Sequence, residues 1–195
     1  MFDIPCVIFA GGKSSRMGED KALLPFASYK TLTEYQYTRL SKFFTNVYIS
    51  CKNSKNFDFS AQFIEDNKAV KLFAPTAGFL AAFKTLNTDA FFALSVDAPF
   101  VDEIIISKLI HADDPAVDAT IARTPEGLQP LCGIYHRSLE NEFQKMLEEE
   151  NHKLGYLLKN AHTNTITFHD TTPFLNMNHP DDYKKALQLL KTSNY

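Results

Sequence analysis

The sequence has 195 residues, 45% of them hydrophobic, and a formal net charge of −3. That is enough chain for one substantial core. It carries no global basic field for nucleic acid and no apolar run near the ~20 residues that span a bilayer. Met1-Phe2-Asp3 lacks the basic n-region of a signal peptide, and Cys6, Cys51 and Cys132 form no C-x-x-C pair. One domain over residues 1–195, cytoplasmic, with reduced structural cysteines, is expected.

Residues 4–10 read as a buried strand that runs straight into a loop ending at Lys21. That loop holds Gly11, Gly12 and Gly18, Ser14 and Ser15, and the cations Lys13, Arg16 and Lys21. Glycines let backbone N–H groups close on a ligand as an anion-binding concavity, while Arg16 offers a bidentate fork and Lys21 a point charge. The pattern predicts a nucleoside triphosphate cradle rather than a solvated glycine turn. It is not a Walker A loop, because the position that would need glycine is Val7, and the G-x-G-x-x-G fingerprint also fails.

A helix follows over 31–44, with Leu32, Tyr35, Leu40 and Phe43 near helical spacing. Strands are expected at 47–51 and 62–64, a helix at 77–88, a continuous apolar strand at 90–96, and a helix at 103–112. Strands at 117–123 and 130–135 flank the turn Pro125-Glu126-Gly127. Helices at 138–150 and 153–160, strand-like segments at 165–168 and 174–177, and a helix at 180–191 complete the chain. The alternation implies an α/β fold, a mainly parallel sheet with helices on both faces. Ligands of such sheets bind outside the carboxyl ends of the strands. The first loop, Asp66, Asp97, and Asn176 with Asn178 all fall at expected strand ends and converge there.

The stretch from Val7 to Lys21 resembles the signature of Rossmann-like nucleotidyltransferases, an apolar strand, then A-G-G-x-S-x-R-M-G, an acidic residue and lysine. Its continuation Asp20-Lys21-Ala22-Leu23-Leu24-Pro25-Phe26 resembles the molybdenum cofactor guanylyltransferases of the MobA type. Ile64-Glu65-Asp66, Ala74-Pro75-Thr76-Ala77-Gly78, Val96-Asp97-Ala98-Pro99-Phe100, Gln129-Pro130-Leu131-Cys132-Gly133-Ile134-Tyr135 and Asn176-Met177-Asn178-His179-Pro180-Asp181-Asp182 match family segments in the same order. The resemblance implies the three-layer Rossmann-like nucleotidyltransferase fold. It also implies transfer of GMP from GTP to the phosphate of molybdenum–molybdopterin, with release of pyrophosphate. Transient contacts with cofactor-biosynthesis or molybdoenzyme delivery proteins follow from it; nucleic acid and membrane do not.

Arg16, Lys21 and Asp97 are the expected catalytic residues. Asp97 is the metal candidate, because Mg²⁺ takes one or two carboxylates plus phosphate oxygens; the competing reading is a turn residue, with Asp102 the better cap for the next helix. Phe9, Ala10, Gly11 and Gly12 would line the nucleotide with backbone groups, alongside Lys21 and Asp97. The resemblance adds Asp66 as a guanosine contact, against an Asx-turn reading, and Ser50 as a further nucleotide contact. It adds Gly78, Asn176 and Asn178 as further site residues, although Asn178 also reads as a helix cap with Asp181. Arg123, Gln129 and Lys153 are candidates for the pterin side, where Asn151-His152-Lys153 departs from the arginine-containing family segment. A CTP-using or sugar-phosphate transferase, and a non-catalytic nucleotide-binding module, are the alternative functions.

Overall fold

The computed structural model describes residues 1–11, 20–66 and 75–192. Gly12, Arg16 and the remainder of the first loop, together with residues 67–74, lie outside the described residues. Seven strands form one sheet: β1 (Cys6–Phe9), β2 (Val47–Cys51), β3 (Gln62–Glu65), β4 (Ala90–Ser95), β5 (Ala119–Thr124), β6 (Gly127–His136) and β7 (Thr163–Thr167). Their lateral order is β3-β2-β1-β4-β6-β5-β7, and β6 alone runs antiparallel to its neighbours.

Side chains alternate along each strand, so each central strand feeds two cores. Ile8, Ile49, Phe92 and Leu94 point to one face and pack beneath α1 (Leu32–Leu40), α3 (Glu103–His111) and α6 (Pro180–Thr192). Val7, Phe9, Phe91 and Ala93 point to the other, against α2 (Pro75–Thr85), α4 (Glu140–Glu148) and α5 (Leu154–Asn160). The second core is aromatic: Phe79 stacks on Phe9 and Phe143 at 4.6 and 4.4 Å between ring centroids. The expected three layers and mainly parallel sheet are therefore present. No helix of the described residues is long and apolar enough to cross a membrane. Cys6, Cys51 and Cys132 are free and buried.

Four segments depart from the sequence reading. Helix α1 stops at Leu40, because the chain turns to bury Phe44 against Phe92 and Phe2. Helix α2 begins at Pro75, whose fixed φ suits a first helical position. Strand β6 starts at Gly127, whose φ of +130° makes a turn open to glycine, so a β5–β6 hairpin extends past the rest of the sheet. Residues 174–177 are not a strand: a 3₁₀ turn (Thr172–Phe174) precedes an extended loop with Phe174 and Met177 in the core.

Register places the active edge. Phe9 lies beside Ser50 and Ser95, and Cys51 beside Glu65, so the carboxyl ends of β1 to β4 line up. The amino-terminal half of antiparallel β6 reaches the same edge, since Cys132 faces Leu94.

Candidate active site

Lys21 and Asp97, 76 residues apart in sequence, meet at the middle of this edge, with Lys21 Nζ 2.5 Å from Asp97 Oδ2. Lys21 opens a 3₁₀ turn capped by Asp20, whose carboxylate accepts from the Ala22 N–H, and Thr33 of α1 donates to the Ala22 carbonyl. Asp97 follows β4, and its Oδ1 accepts from the Ser95 hydroxyl at 2.6 Å. Asp102 caps α3 by accepting from the Ile105 N–H, as the sequence indicated.

The loop after the last 3₁₀ turn is pinned to this centre by one backbone bond, from the Met177 N–H to the Asp97 carbonyl. That bond brings Asn176 and Asn178 to the cavity that Asp97 lines. The Asn178 side-chain oxygen accepts from Lys21 Nζ at 3.2 Å. The cap expectation for Asn178 is corrected in its details: Asp182, not Asp181, accepts from the Asn178 and His179 N–H groups ahead of α6. Asp182 stands three residues after His179 and returns its carboxylate to the start of the helix, which frees the Asn178 amide for Lys21.

Three depressions lie in a row along the edge. One of about 210 Å³ is lined by Ala10, Gly11, Cys51, Lys52 and Asn53. A small central one joins Phe9, Ala10 and Gly11 to Lys21 and Asp97. The third, about 330 Å³, is lined by Asp97, Gln129, His152, Phe174, Asn176 and Asn178, among others. Lys21 and Asp97 thus stand between a cavity floored by the β1–β2 ends and one walled by β6, α5 and the Asn176–Asn178 loop.

Asp66 lies beside Gly11, a residue of the first cavity, with Oδ2 3.8 Å from where a Gly11 Cβ would stand. Burial pushes its carboxyl up to about 6, against the pull of Lys52. Among the described residues its Oδ1 is buried without a hydrogen-bond partner; the backbone that an Asx turn would use, at residues 67 and 68, lies outside them. Ser50 is buried, with its hydroxyl toward Gly78; a Cβ on Gly78 would lie 2.8 Å from the Ser50 Oγ and 3.0 Å from the Phe9 ring. Gly78 therefore lets α2 close on the ends of β1 and β2.

Of the pterin-side candidates, Gln129 lines the third cavity, while Arg123 and Lys153 are exposed and line none of the three. His152 is the residue of its segment that reaches the wall, its Nδ1 2.8 Å from the buried Thr76 hydroxyl. Sequence reasoning missed His152, Ser95 and Thr76. The departure at residues 151–153 was the available signal for the first, and nothing local marks the other two. Among the described residues no group of three or more His, Cys, Asp or Glu could hold a metal by itself. Asp97 offers one carboxylate, which suits a cation that takes its other ligands from phosphate and water.

A family model for the MobA-like NTP transferase domain matches residues 6–165. The molybdenum cofactor guanylyltransferase of Helicobacter pylori strain P12 is 38% identical over 194 residues, covering 97% of this chain and 94% of that protein. The enzyme of the same name from Campylobacter jejuni strain RM1221 is 35% identical over 189 residues, covering 97% and 98%. The crystal structure of molybdopterin-guanine dinucleotide biosynthesis protein A from Archaeoglobus fulgidus superposes with a TM-score of 0.83 at 22% identity, covering 97% of this chain and all of that one. A CMP-2-keto-3-deoxy-manno-octonic acid synthetase solved with CTP shares the fold at a TM-score of 0.77 and 16% identity, covering 98% and 99%. The chain belongs to the MobA-like NTP transferase family, with the molybdenum cofactor guanylyltransferases.

Proposed function

We propose that this chain transfers GMP from GTP to the terminal phosphate of molybdenum–molybdopterin, giving the guanine dinucleotide cofactor and pyrophosphate. The observation that carries the reading is the Lys21–Asp97 centre set between two cavities. One cavity takes the nucleoside, the other the pterin, and the phosphates of both meet at the centre. Guanosine lies against Phe9, Ala10, Gly11 and Gly12, with Asp66 accepting from its base or ribose and Ser50 beneath. Asn176, Asn178 and Gln129 face the acceptor, and Gly78 acts through packing.

A phosphate oxygen of the acceptor attacks the α-phosphorus of GTP in line as the bond from that phosphorus to the β-phosphate oxygen breaks. The acceptor is already an anion at neutral pH, so no general base is needed. Positioning and charge stabilisation supply the rate. Lys21 and Arg16 stabilise the triphosphate and departing pyrophosphate, and Lys21 exchanges Asp97 for phosphate as GTP enters. Members of this family generally use a divalent metal. We assign Mg²⁺: Asp97 would hold it, and it would supply positive charge to offset the phosphates.

The chain works as one domain over residues 1–195, in the cytoplasm, with transient contacts to cofactor-biosynthesis or delivery proteins and none to nucleic acid or membrane. The net charge of −3 supports the absence of a nucleic-acid partner. The deciding assay is pyrophosphate release with each of the four nucleoside triphosphates, with and without molybdenum–molybdopterin. Release with GTP only when the pterin is present is expected. Release with CTP, or with a sugar phosphate as acceptor, would favour the related transferases. Binding without release would favour a nucleotide-binding module.

A further inference from the structure

Beneath the site sits a cation that the chemistry above does not use. Arg39 of α1 turns its guanidinium into the protein, where loss of water draws it below its usual pKa. Its Nε and Nη2 both donate to the Gln36 side-chain oxygen, at 3.1 and 2.7 Å, and its Nη1 donates to the Val101 carbonyl at 2.6 Å. No acidic side chain among the described residues hydrogen-bonds or ion-pairs with it. A cation withdrawn from water with no bonded counter-ion, only the longer-range field of Asp102, is costly, so what it secures is informative.

What it secures is the segment that carries Asp97. Gln36 is fully buried, and its side-chain N–H₂ donates to the Val96 carbonyl at 3.1 Å and the Ser95 carbonyl at 3.4 Å. Those two carbonyls close β4 immediately before Asp97. Val101, at the other end of the segment, is held by Arg39 itself. One helix therefore grips both ends of residues 95–101. Ser95, whose backbone is gripped, is also the residue whose hydroxyl aims Asp97 Oδ1.

We propose that Gln36, oriented by Arg39, is a positioning residue for Asp97: it holds the Ser95–Val96 backbone so that the carboxylate keeps its aim at the metal. The inference rests on the reading of Asp97 as the Mg²⁺ ligand. Groups bonded directly to a metal ligand change metal affinity by about 10–100-fold when altered; Gln36 acts one step further back, through the Ser95–Val96 backbone, and the lower end of that range is expected.

Gln36→Glu separates positioning from folding. The new carboxylate still accepts from Arg39, now as an ion pair, so the core keeps its cohesion. It has no N–H to give the Ser95 and Val96 carbonyls, and its oxygen repels them. The measurement is the dissociation constant of GTP in EDTA and in magnesium, by equilibrium dialysis, for wild type, Gln36→Glu, Gln36→Met and Asp97→Asn, beside thermal melts. Gln36→Glu is expected to melt at or above wild type, to bind GTP normally in EDTA, and to lose about tenfold of the tightening that magnesium gives. Gln36→Met, which leaves Arg39 unmatched, is expected to melt lower with the same loss of magnesium response. If both variants keep the wild-type ratio of the two constants while Asp97→Asn loses it, Gln36 is a folding residue only and the inference is wrong. If Asp97→Asn itself keeps the ratio, the metal reading of Asp97 has failed, and the inference fails with its premise.

Discussion

Removing the charge of Asp66 tests the proposed nucleoside contact without touching the proposed metal ligand, Asp97. The Asp66 carboxyl is raised from 3.8 to about 6, chiefly by burial, with Lys52 opposing. The folded protein therefore holds this proton more tightly than the unfolded chain does. Ionisation costs the fold stability as pH rises from about 4 to about 6, and the loss is complete above that range. A shift of about two units has a ceiling near 3 kcal/mol, which solvent screening of a half-buried carboxyl reduces to about 1–2 kcal/mol. Asp66→Asn keeps the size and never ionises. It should equal wild type near pH 4 and exceed it by that amount at pH 8, about 3–6 °C in a chain of this size. Paired melts across the range measure the gap; a gap that does not change with pH would refute the burial argument. In the same buffers, GTP affinity of the wild type should rise through about pH 6, because a bound donor favours the carboxylate, while Asp66→Asn stays flat. A flat wild-type profile would remove Asp66 from the nucleotide contact.

Four further outcomes are expected. GTP should raise the melting temperature more than ATP, CTP or UTP at equal concentration, because ligand bound only to the native state stabilises by mass action; equal shifts would remove the guanine assignment. Lys21→Met should weaken GTP binding at least about tenfold in dialysis and should also lower the stability of the free protein by more than about 1 kcal/mol, since it leaves the buried Asp97 carboxylate without its ammonium partner. Asp97→Asn should lower the turnover rate by about 10²-fold or more while GTP still binds in EDTA, read from a magnesium titration of pyrophosphate release. Gly133→Ala would put its Cβ 2.3 Å from the Thr120 carbonyl oxygen and 2.9 Å from the Ile121 Cα; forcing β5 and β6 apart should cost about 3 kcal/mol, seen as a melt lowered by about 6–12 °C.

The parts legible in the sequence were those whose cause is local. An apolar run ending at Asp97 and a cap at Asp102 each depend on a few neighbouring residues, and both stand where the pattern put them. Residues 174–177 misled for an equally physical reason. Phe174 and Met177 are buried as a strand would bury them, but no strand of the described residues pairs with them, so the segment is a loop on the core. The end of α1 failed in the same way: helical spacing continued through Phe43, while the demand to bury Phe44 came from Phe92, far along the chain.

What the sequence withheld was the pairing of distant groups. Nothing near Lys21 says that it will meet Asp97 and Asn178, and nothing near Asn178 says that Asp182 will take over the capping and leave its amide free. These contacts arise because strand order brings β1, β4 and β6 side by side, and because one bond from Met177 docks a loop that periodicity cannot describe. The same logic explains why Gln36 and Arg39 passed unremarked. In the sequence they are polar residues on an amphipathic helix, where the ordinary reading is a solvated face. Only the packing of α1 under the end of β4 turns them inward, and their donors then acquire a purpose in the backbone that carries Asp97.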